Sequence, residues 1–239
     1  MIPSQTPQPA RIEREVTVEL GKVFLDGTLS VPNGATAIVL FAHGSGSSRL
    51  SPRNRFVAQV LQSRGIATLL FDLLTPAEES VDEYTGELRF NISFLAERLI
   101  GATHWVMQQP DLRGFRIGYF GASTGAGAAL VAAARIPEAV SAVVSRGGRP
   151  DLAGTALRAV EVPTLLIVGG NDEPVVSMNQ AALAKIKCPK KKLVIVPGAT
   201  HLFQEPGALE DVARIAADWF IDHLTTAAQT NASAAAGNS

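Results

Sequence analysis

The sequence predicts an α/β fold in which a mostly parallel central sheet of about eight strands carries helices on both faces. Short apolar runs, typical of strands buried on both faces, alternate with helical patterns five or more times along the chain. The 239 residues are 46% hydrophobic and 18% charged, a composition that suits one sizeable domain with a large core.

The predicted elements cover most of the chain. Edge strands or a hairpin are expected at residues 16–20 and 23–31, where apolar and polar residues alternate. Buried strands are predicted at residues 37–42, 67–71, 116–120, 139–145, 164–168 and 193–196, and helices at residues 53–64, 91–109, 126–136, 179–186 and 208–224.

Two connections bear on the architecture. Residues 74–87 are polar and acidic and include Pro76 and Gly86, so a long loop with at most one turn of helix is predicted there. Only about twenty residues separate the strands at 139–145 and 164–168, which leaves no room for a large cap domain.

The chain is expected to form one domain over residues 15–224. A flexible segment is predicted at residues 1–14, and an uncharged, disordered tail at residues 225–239. The first segment has three prolines and no apolar stretch of the kind that a secretory signal needs. No run of about 18 apolar residues occurs, so no membrane span or membrane partner is predicted.

Charge and cysteine content exclude further classes. The formal net charge is −1 and the main basic run is Lys190 to Lys192, which argues against nucleic acid as a partner. The one cysteine, Cys188, cannot form an intramolecular disulfide, so a cytoplasmic location is expected. No Cys/His cluster points to zinc, and no metal or organic cofactor is expected.

The most informative motif is Gly121-Ala122-Ser123-Thr124-Gly125, between a predicted strand and a helix of small residues. A serine on a sharp strand-to-helix turn presents its hydroxyl above the sheet edge, and its neighbours two positions away must be small. The helix N-terminus places N–H groups beside that serine. We interpret Ser123 as a nucleophile; the alternative is a Gly/Ala-rich turn that only packs a helix on the sheet.

A serine nucleophile needs a base, and the base needs an orienting acid. Functional groups of parallel sheets gather where strands end, so the base and the acid are expected in the loops that follow later strands. Asp172 follows the strand at 164–168 and is the candidate acid, with Glu173 as its nearest rival. The alternative for Asp172 is an Asx turn or a helix N-cap.

His201 follows the last predicted strand and is the candidate base, because the order Ser, Asp, His is then complete. The other histidines fit less well. His104 lies inside a predicted helix, His223 lies near the end of the last helix, and His43 precedes the serine.

The turn His43-Gly44-Ser45-Gly46 follows the first buried parallel strand. A Gly-rich turn there can aim a backbone N–H at a substrate oxygen, and we predict an oxyanion hole from the amides of Ser45 and Thr124. The alternative is an ordinary Gly/Ser loop. A phosphate-binding loop is disfavoured because no Gly-Lys-Ser/Thr follows, and no G-x-G-x-x-G opens a helix here.

Arg146 follows another strand end and could face the same cleft. Its guanidinium could pair with a carboxylate or phosphate of a substrate. Alternatively it bonds loop carbonyls or Asp72, which also lies at a strand end, and the sequence leaves both possibilities open.

From about residue 35 to residue 224, the motifs at His43–Gly46, Gly121–Gly125, Gly169–Asp172 and Gly198–His201 together resemble the α/β-hydrolase superfamily. The absence of a cap makes the chain most similar to the compact dienelactone-hydrolase-like branch. It departs from the dienelactone hydrolases themselves, whose nucleophile is a cysteine, so their lactone substrates are not carried over.

The resemblance implies a serine hydrolase that cleaves small carboxylic esters or thioesters through an acyl-enzyme, with a small-molecule acyl substrate as its partner. Acyl transfer or peptidase activity on the same three residues is an alternative. A non-catalytic binding protein of the same fold is another. The fold hosts many reactions and does not select the substrate, and the oligomeric state stays open.

Overall fold

The computed structural model describes residues 11–225. Its strands are β1 (Arg11–Leu20), β2 (Val23–Pro32), β3 (Ala37–Ala42), β4 (Ala67–Phe71), β5 (Arg116–Ala122), β6 (Val140–Arg146), β7 (Thr164–Gly169) and β8 (Lys191–Val196). Its α-helices are α1 (Pro52–Ser63), α2 (Pro76–Thr85), α3 (Ile92–Gln108), α4 (Thr124–Arg135), α5 (Glu173–Lys185) and α6 (Ala208–Leu224), and 3₁₀ segments lie at Pro110–Leu112 and Pro150–Ala159.

All eight strands form one sheet in the order β1-β2-β4-β3-β5-β6-β7-β8. The β1–β2 and β2–β4 pairs are antiparallel, and every pair from β4 to β8 is parallel. The predicted mostly parallel α/β fold is therefore confirmed. Between β6 and β7 the chain forms only a 3₁₀ segment, so the prediction of no large cap is also confirmed.

The core consists of two layers of apolar side chains, one on each face of the sheet. Leu95 and Leu99 of α3 and Leu130 of α4 belong to one layer. Val57 of α1 and Phe220 of α6 belong to the other. Every residue of β3, β4 and β7 is buried, because parallel crossovers place helices over both faces of the central strands.

The segment predicted to be a loop at residues 74–87 instead contains the ten-residue helix α2, so that prediction was wrong. The Thr75 hydroxyl accepts a hydrogen bond from the Glu78 amide, and the Glu78 carboxylate accepts one from the Thr75 amide. Pro76 occupies the first turn, where its missing N–H costs nothing, and Gly86 ends the helix with φ of 66°. These local signals outweigh the polarity that suggested a loop.

Two other boundaries differ from the prediction by more than two residues. Strand β1 begins at Arg11, so residues 11–14 of the expected flexible segment pair with residues 29–32 of β2. Helix α5 begins at Glu173 rather than Asn179, directly after the candidate acid. Residues 1–10 and 226–239, the remainder of the segments expected to be flexible, lie outside the described residues.

Within residues 11–225, none of the helices is both long enough and apolar enough to cross a membrane.

Replacing Tyr119 with phenylalanine should lower the free energy of unfolding by about 1 kcal/mol. The Tyr119 hydroxyl is buried and lies 2.6 Å from the Thr103 hydroxyl, which itself donates to the Leu99 carbonyl. Tyr119→Phe thus removes one buried hydrogen bond and leaves the Thr103 donor satisfied. Urea denaturation measures the change. Tyr84→Phe, at a side chain that is 91% exposed, is the control; equal midpoints for the two variants would contradict the prediction.

Candidate active site

The sequence-predicted candidates converge on the carboxyl edge of the sheet. Ser123 follows β5, Asp172 lies shortly after β7 and His201 after β8. The turn that begins at His43 follows β3, and Arg146 is the last residue of β6. Because neighbouring parallel strands end at the same edge, residues far apart in sequence become neighbours in one cleft.

Ser123 occupies a strained turn between β5 and α4. Its backbone has φ of 51° and ψ of −121°, a conformation that residues with a side chain rarely adopt. A Cβ atom added at Gly121 would lie 2.4 Å from the Ala126 Cα atom, and one added at Gly125 would lie 2.2 Å from the Ala42 carbonyl oxygen. Helix α4 therefore approaches both β5 and the end of β3 so closely that both positions require glycine.

Asp172 and His201 are in direct contact. The Nδ1 atom of His201 lies 2.7 Å from Oδ2 of Asp172. Asp172 also occupies the N-cap position of α5, yet its side chain makes no capping hydrogen bond and turns to the histidine instead. Its rival Glu173 is exposed in the first turn of α5. Of the two carboxylates, the geometry thus pairs Asp172 with the imidazole.

Ser123 and His201 line one cavity of about 250 Å³. With Nδ1 directed at Asp172, Nε2 is the ring nitrogen left for the cavity. The two side chains form no hydrogen bond with each other in this structure. The turn that carries His201 is strained, since the buried Phe203 has φ of 54°. Ser123 and Phe203 are the two non-glycine residues with positive φ in the described chain.

The two predicted oxyanion donors are neighbours, but one of them is engaged. The Ser45 amide donates a 2.8 Å hydrogen bond to the Thr124 hydroxyl. In this structure the Ser45 amide thus has an intramolecular acceptor, and its role as an oxyanion donor stays a prediction. Thr124 begins α4, so its own amide is among the first-turn donors that have no partner inside the helix.

His43 stabilises the turn that it begins. Its Nε2 atom accepts a hydrogen bond from the Leu73 amide, which requires the proton to be on Nδ1, and Nδ1 donates to the Gly44 carbonyl. Burial lowers the pKa of His43, which favours this neutral form. The side chain thus ties the turn after β3 to the chain after β4.

Arg146 lies beside the serine turn and is almost fully buried, with 6% exposure. Its guanidinium donates to Oδ1 of Asn54 at 3.2 Å, while its Nε atom has no partner. Burial, and next the nearby charge of Arg53, lower the pKa of Arg146 to about 10. Asp72, the alternative partner that the sequence suggested, instead binds Arg49 through both its carboxylate oxygens.

Arg53 is a site residue that the sequence reasoning missed. It lies in the first turn of α1, lines the same cavity as Ser123, and has a buried Nε atom without a partner. The one signal for Arg53 in the sequence is its position in the first turn of a helix that follows the Gly/Ser turn.

A second cavity, of about 150 Å³, also adjoins the turn at residues 44–47. Residues of this turn line both cavities. Four carboxylates and one guanidinium line the second cavity together with leucines: Asp72, Glu79, Asp82, Glu83 and Arg89, with Leu73, Leu74 and Leu95. The cleft thus has a cationic side and an acidic side.

No group of three or more His, Cys, Asp or Glu side chains is arranged to hold a metal ion anywhere in residues 11–225.

A largely parallel eight-stranded sheet with a sharp serine turn between a central strand and a helix is the α/β-hydrolase fold. The model of the dienelactone hydrolase family matches residues 27–231. The chain therefore belongs to the dienelactone hydrolase family, and the resemblance inferred from the motifs is confirmed.

Known relatives agree with this assignment. A crystal structure of dienelactone hydrolase from Anabaena variabilis is 61% identical, has a TM-score of 0.88, and covers 92% of this chain and 100% of its own. A structure of a Pyrococcus furiosus esterase, 19% identical, has a TM-score of 0.72 and covers 94% of this chain and 97% of its own, which shows the fold alone.

A Mycobacterium tuberculosis protein named "Putative phosphoribosyl transferase" is 59% identical over 218 residues, 90% of this chain and 48% of the relative. The chain spans about half the length of the curated relatives it matches at this identity.

Gly125→Ala should destabilise the protein by about 3 kcal/mol or more, because the new methyl group would overlap the carbonyl oxygens of Ala42 and His43. Gly114→Ala is the matched control. Gly114 has φ of 82° and open space around it, so alanine there incurs only the left-handed strain of about 1–2 kcal/mol. Thermal unfolding of both variants measures the difference. A melting temperature for Gly125→Ala at or above that of Gly114→Ala would show that α4 and the end of β3 do not need this close contact.

Proposed function

We propose that the protein is a serine hydrolase that cleaves small carboxylic esters or thioesters through an acyl-enzyme. The observation that carries the proposal is the 2.7 Å contact between His201 and Asp172, at a cavity that Ser123 lines from a strained turn. In the proposed roles Ser123 is the nucleophile, His201 the general base and acid, and Asp172 the group that orients the imidazole.

In the first step Ser123 Oγ forms a bond to the acyl carbon while its proton passes to His201 Nε2. The carbonyl electron pair moves onto the oxygen, which becomes an oxyanion. Asp172 holds the proton of His201 on Nδ1 and stabilises the imidazolium that results. The gap between Ser123 and His201 has to close when substrate binds, as is common for catalytic hydrogen bonds.

The Thr124 amide is the proposed first donor to the oxyanion, at the positive end of α4. The Ser45 amide is the proposed second donor. It becomes available when the Thr124 hydroxyl, its present acceptor, rotates away about a single side-chain bond.

Collapse of the oxyanion breaks the bond to the leaving group, which takes the proton from His201 Nε2 and departs as an alcohol or thiol. Water then attacks the acyl carbon and gives one proton to Nε2. Ser123 Oγ leaves and recovers that proton, and the carboxylic acid is released. The cycle is complete with groups that this chain supplies.

The family membership supports hydrolysis as the reaction, and the name of the Anabaena protein supports an ester or lactone bond as its target. The Pyrococcus protein is named an esterase. The mycobacterial relative is named for phosphoribosyl transfer, but this chain matches less than half of it, so the name does not favour that reaction here.

Ser123→Ala should lower kcat/KM for p-nitrophenyl esters by at least about 10³-fold, because the attacking oxygen is removed. The assay uses acyl chains from acetate to octanoate, and the chain-length profile of the wild type measures the pocket. Ser63→Ala, at an exposed serine of α1, is the control. Full activity in Ser123→Ala would overturn the proposed mechanism.

The wild type should also be labelled by a fluorophosphonate probe, and Ser123→Ala should not. Absence of both labelling and turnover in the wild type would favour the alternative of a non-catalytic binding protein. Faster turnover of amides, or of esters with added alcohols as acceptors, would favour a peptidase or an acyltransferase.

Asp172→Asn should reduce kcat by about 10³- to 10⁴-fold, since an amide cannot hold the proton of His201 on Nδ1. Glu173→Gln should retain the wild-type rate because the Glu173 side chain is exposed and has no contact with the histidine. Steady-state kinetics on p-nitrophenyl acetate separates the two variants. A larger loss for Glu173→Gln would reassign the acid.

A further inference from the structure

Two guanidinium groups line the cavity next to Ser123, and no carboxylate is paired with either. Among residues 11–225, Arg53 and Arg146 form no ion pair, and the Nε atom of each is buried without a partner. Arg146 has one neutral acceptor, Asn54 Oδ1. By contrast, Arg49 and Arg149 at the same edge of the sheet each bind an aspartate.

This arrangement is electrostatically unfavourable in the empty protein. Burial removes hydration from the Arg146 charge, and a second positive charge lies close enough to lower its pKa further. Buried charges in proteins are ordinarily paired, so an uncompensated pair of like charges at a cleft indicates a site for an opposite charge that arrives from outside.

The lining of the cavity is consistent with an anion as that charge. No Asp or Glu lines it. Its other polar side chains are serine hydroxyls, the Asn54 amide and the His201 imidazole. In the neighbouring cavity, Asp72 and Asp82 are paired with Arg49 and Arg89. Glu79 and Glu83 leave an excess of negative charge there, which disfavours an anion. An anionic group therefore has one favourable position in the cleft, the Arg53–Arg146 side.

We propose that Arg53 and Arg146 form an anion subsite that binds a carboxylate or phosphate group of the substrate beside Ser123. This assignment rests on the proposed function for its link to catalysis. The substrate would be a small ester with one anionic end on the arginine side and its remaining part directed to the acidic, leucine-lined cavity. A guanidinium can bind either anion through two parallel N–H donors, so both arginines suit this role.

The first experiment measures binding without turnover. Inorganic phosphate and succinate are titrated separately into the Ser123→Ala protein by calorimetry. Arg53→Gln in the same background should weaken binding of the preferred anion by about tenfold or more, since one charge-assisted hydrogen-bonding group is lost. Arg55→Gln is the matched control, because Arg55 lies on the same helix, is exposed and does not line the cavity.

Stronger binding of succinate would assign a carboxylate, and stronger binding of phosphate a phosphate group. Equal affinity in Arg53→Gln and Arg55→Gln, or no binding of either anion at millimolar concentration, would overturn the subsite. Arg146→Met is a second variant of the pair that keeps the volume of the side chain. Should Arg146→Met not fold, Arg53→Gln still decides the result.

The second experiment compares two esters with the same leaving group, p-nitrophenyl acetate and p-nitrophenyl hydrogen succinate, in the active protein. Arg53→Gln should lower the ratio of kcat/KM for the anionic ester to that for the neutral ester by about tenfold or more, mainly through KM. A ratio that stays at the wild-type value, with equal losses on both esters, would mean that Arg53 and Arg146 only support the fold or the oxyanion.

The two experiments test the anion subsite and the serine mechanism independently. Anion binding that depends on Arg53, together with unchanged turnover in Ser123→Ala, would retain the subsite and reject the serine mechanism. Turnover that requires Ser123, with no preference for the anionic ester that depends on Arg53, would retain the serine mechanism and reject the subsite.

Discussion

The close approach of β5 to α4 is the constraint on which the rest of the site depends. Gly121 allows β5 and α4 to meet at backbone distance, and Ser123 adopts a positive φ to connect them. Gly125 also lies against the last residue of β3, which brings the turn at residues 44–47 alongside the serine. The strain of the serine turn, about 1–3 kcal/mol, is tolerated because packing on both faces of the sheet determines the positions of its two ends.

The backbone turn at residues 44–47 also lies next to the charged groups that line the cleft. The turn at residues 44–47 lines both the cavity with two unpaired guanidiniums and the cavity whose charged groups are mainly carboxylates. Among the described residues no ion pair joins the two linings. His43 fixes the turn that they share through a hydrogen bond from the Leu73 amide. Selection for stability alone would be expected to pair or remove the charges of Arg53 and Arg146, which is why these two arginines support the proposed anion subsite.

The fold and the three proposed catalytic residues could be predicted from the sequence, because both follow from local patterns. Apolar runs mark the strands, and a polar residue directly after such a run must lie at the sheet edge. Helix α2 forms despite its polar composition, because the residues at its two ends favour a helix. Thr75 and Glu78 form a capping box, with Pro76 in the first turn and Gly86 at the end, and those helix signals were present in the sequence.

By itself, the sequence determined the α/β architecture, the serine turn, and the placement of Ser123, Asp172 and His201 at one edge of the sheet. Each of these depends only on short-range sequence patterns and on the direction of the strands. Only the tertiary structure decided which side chains are partners. The Thr124 hydroxyl accepts a hydrogen bond from the Ser45 amide, 79 positions away. Asp72 forms an ion pair with Arg49. Arg146 donates a hydrogen bond to Asn54 and is close enough to the charge of Arg53 for its pKa to be lowered. Such contacts depend on how α1 and the turn after β3 pack on the sheet. Short sequence patterns do not specify that packing.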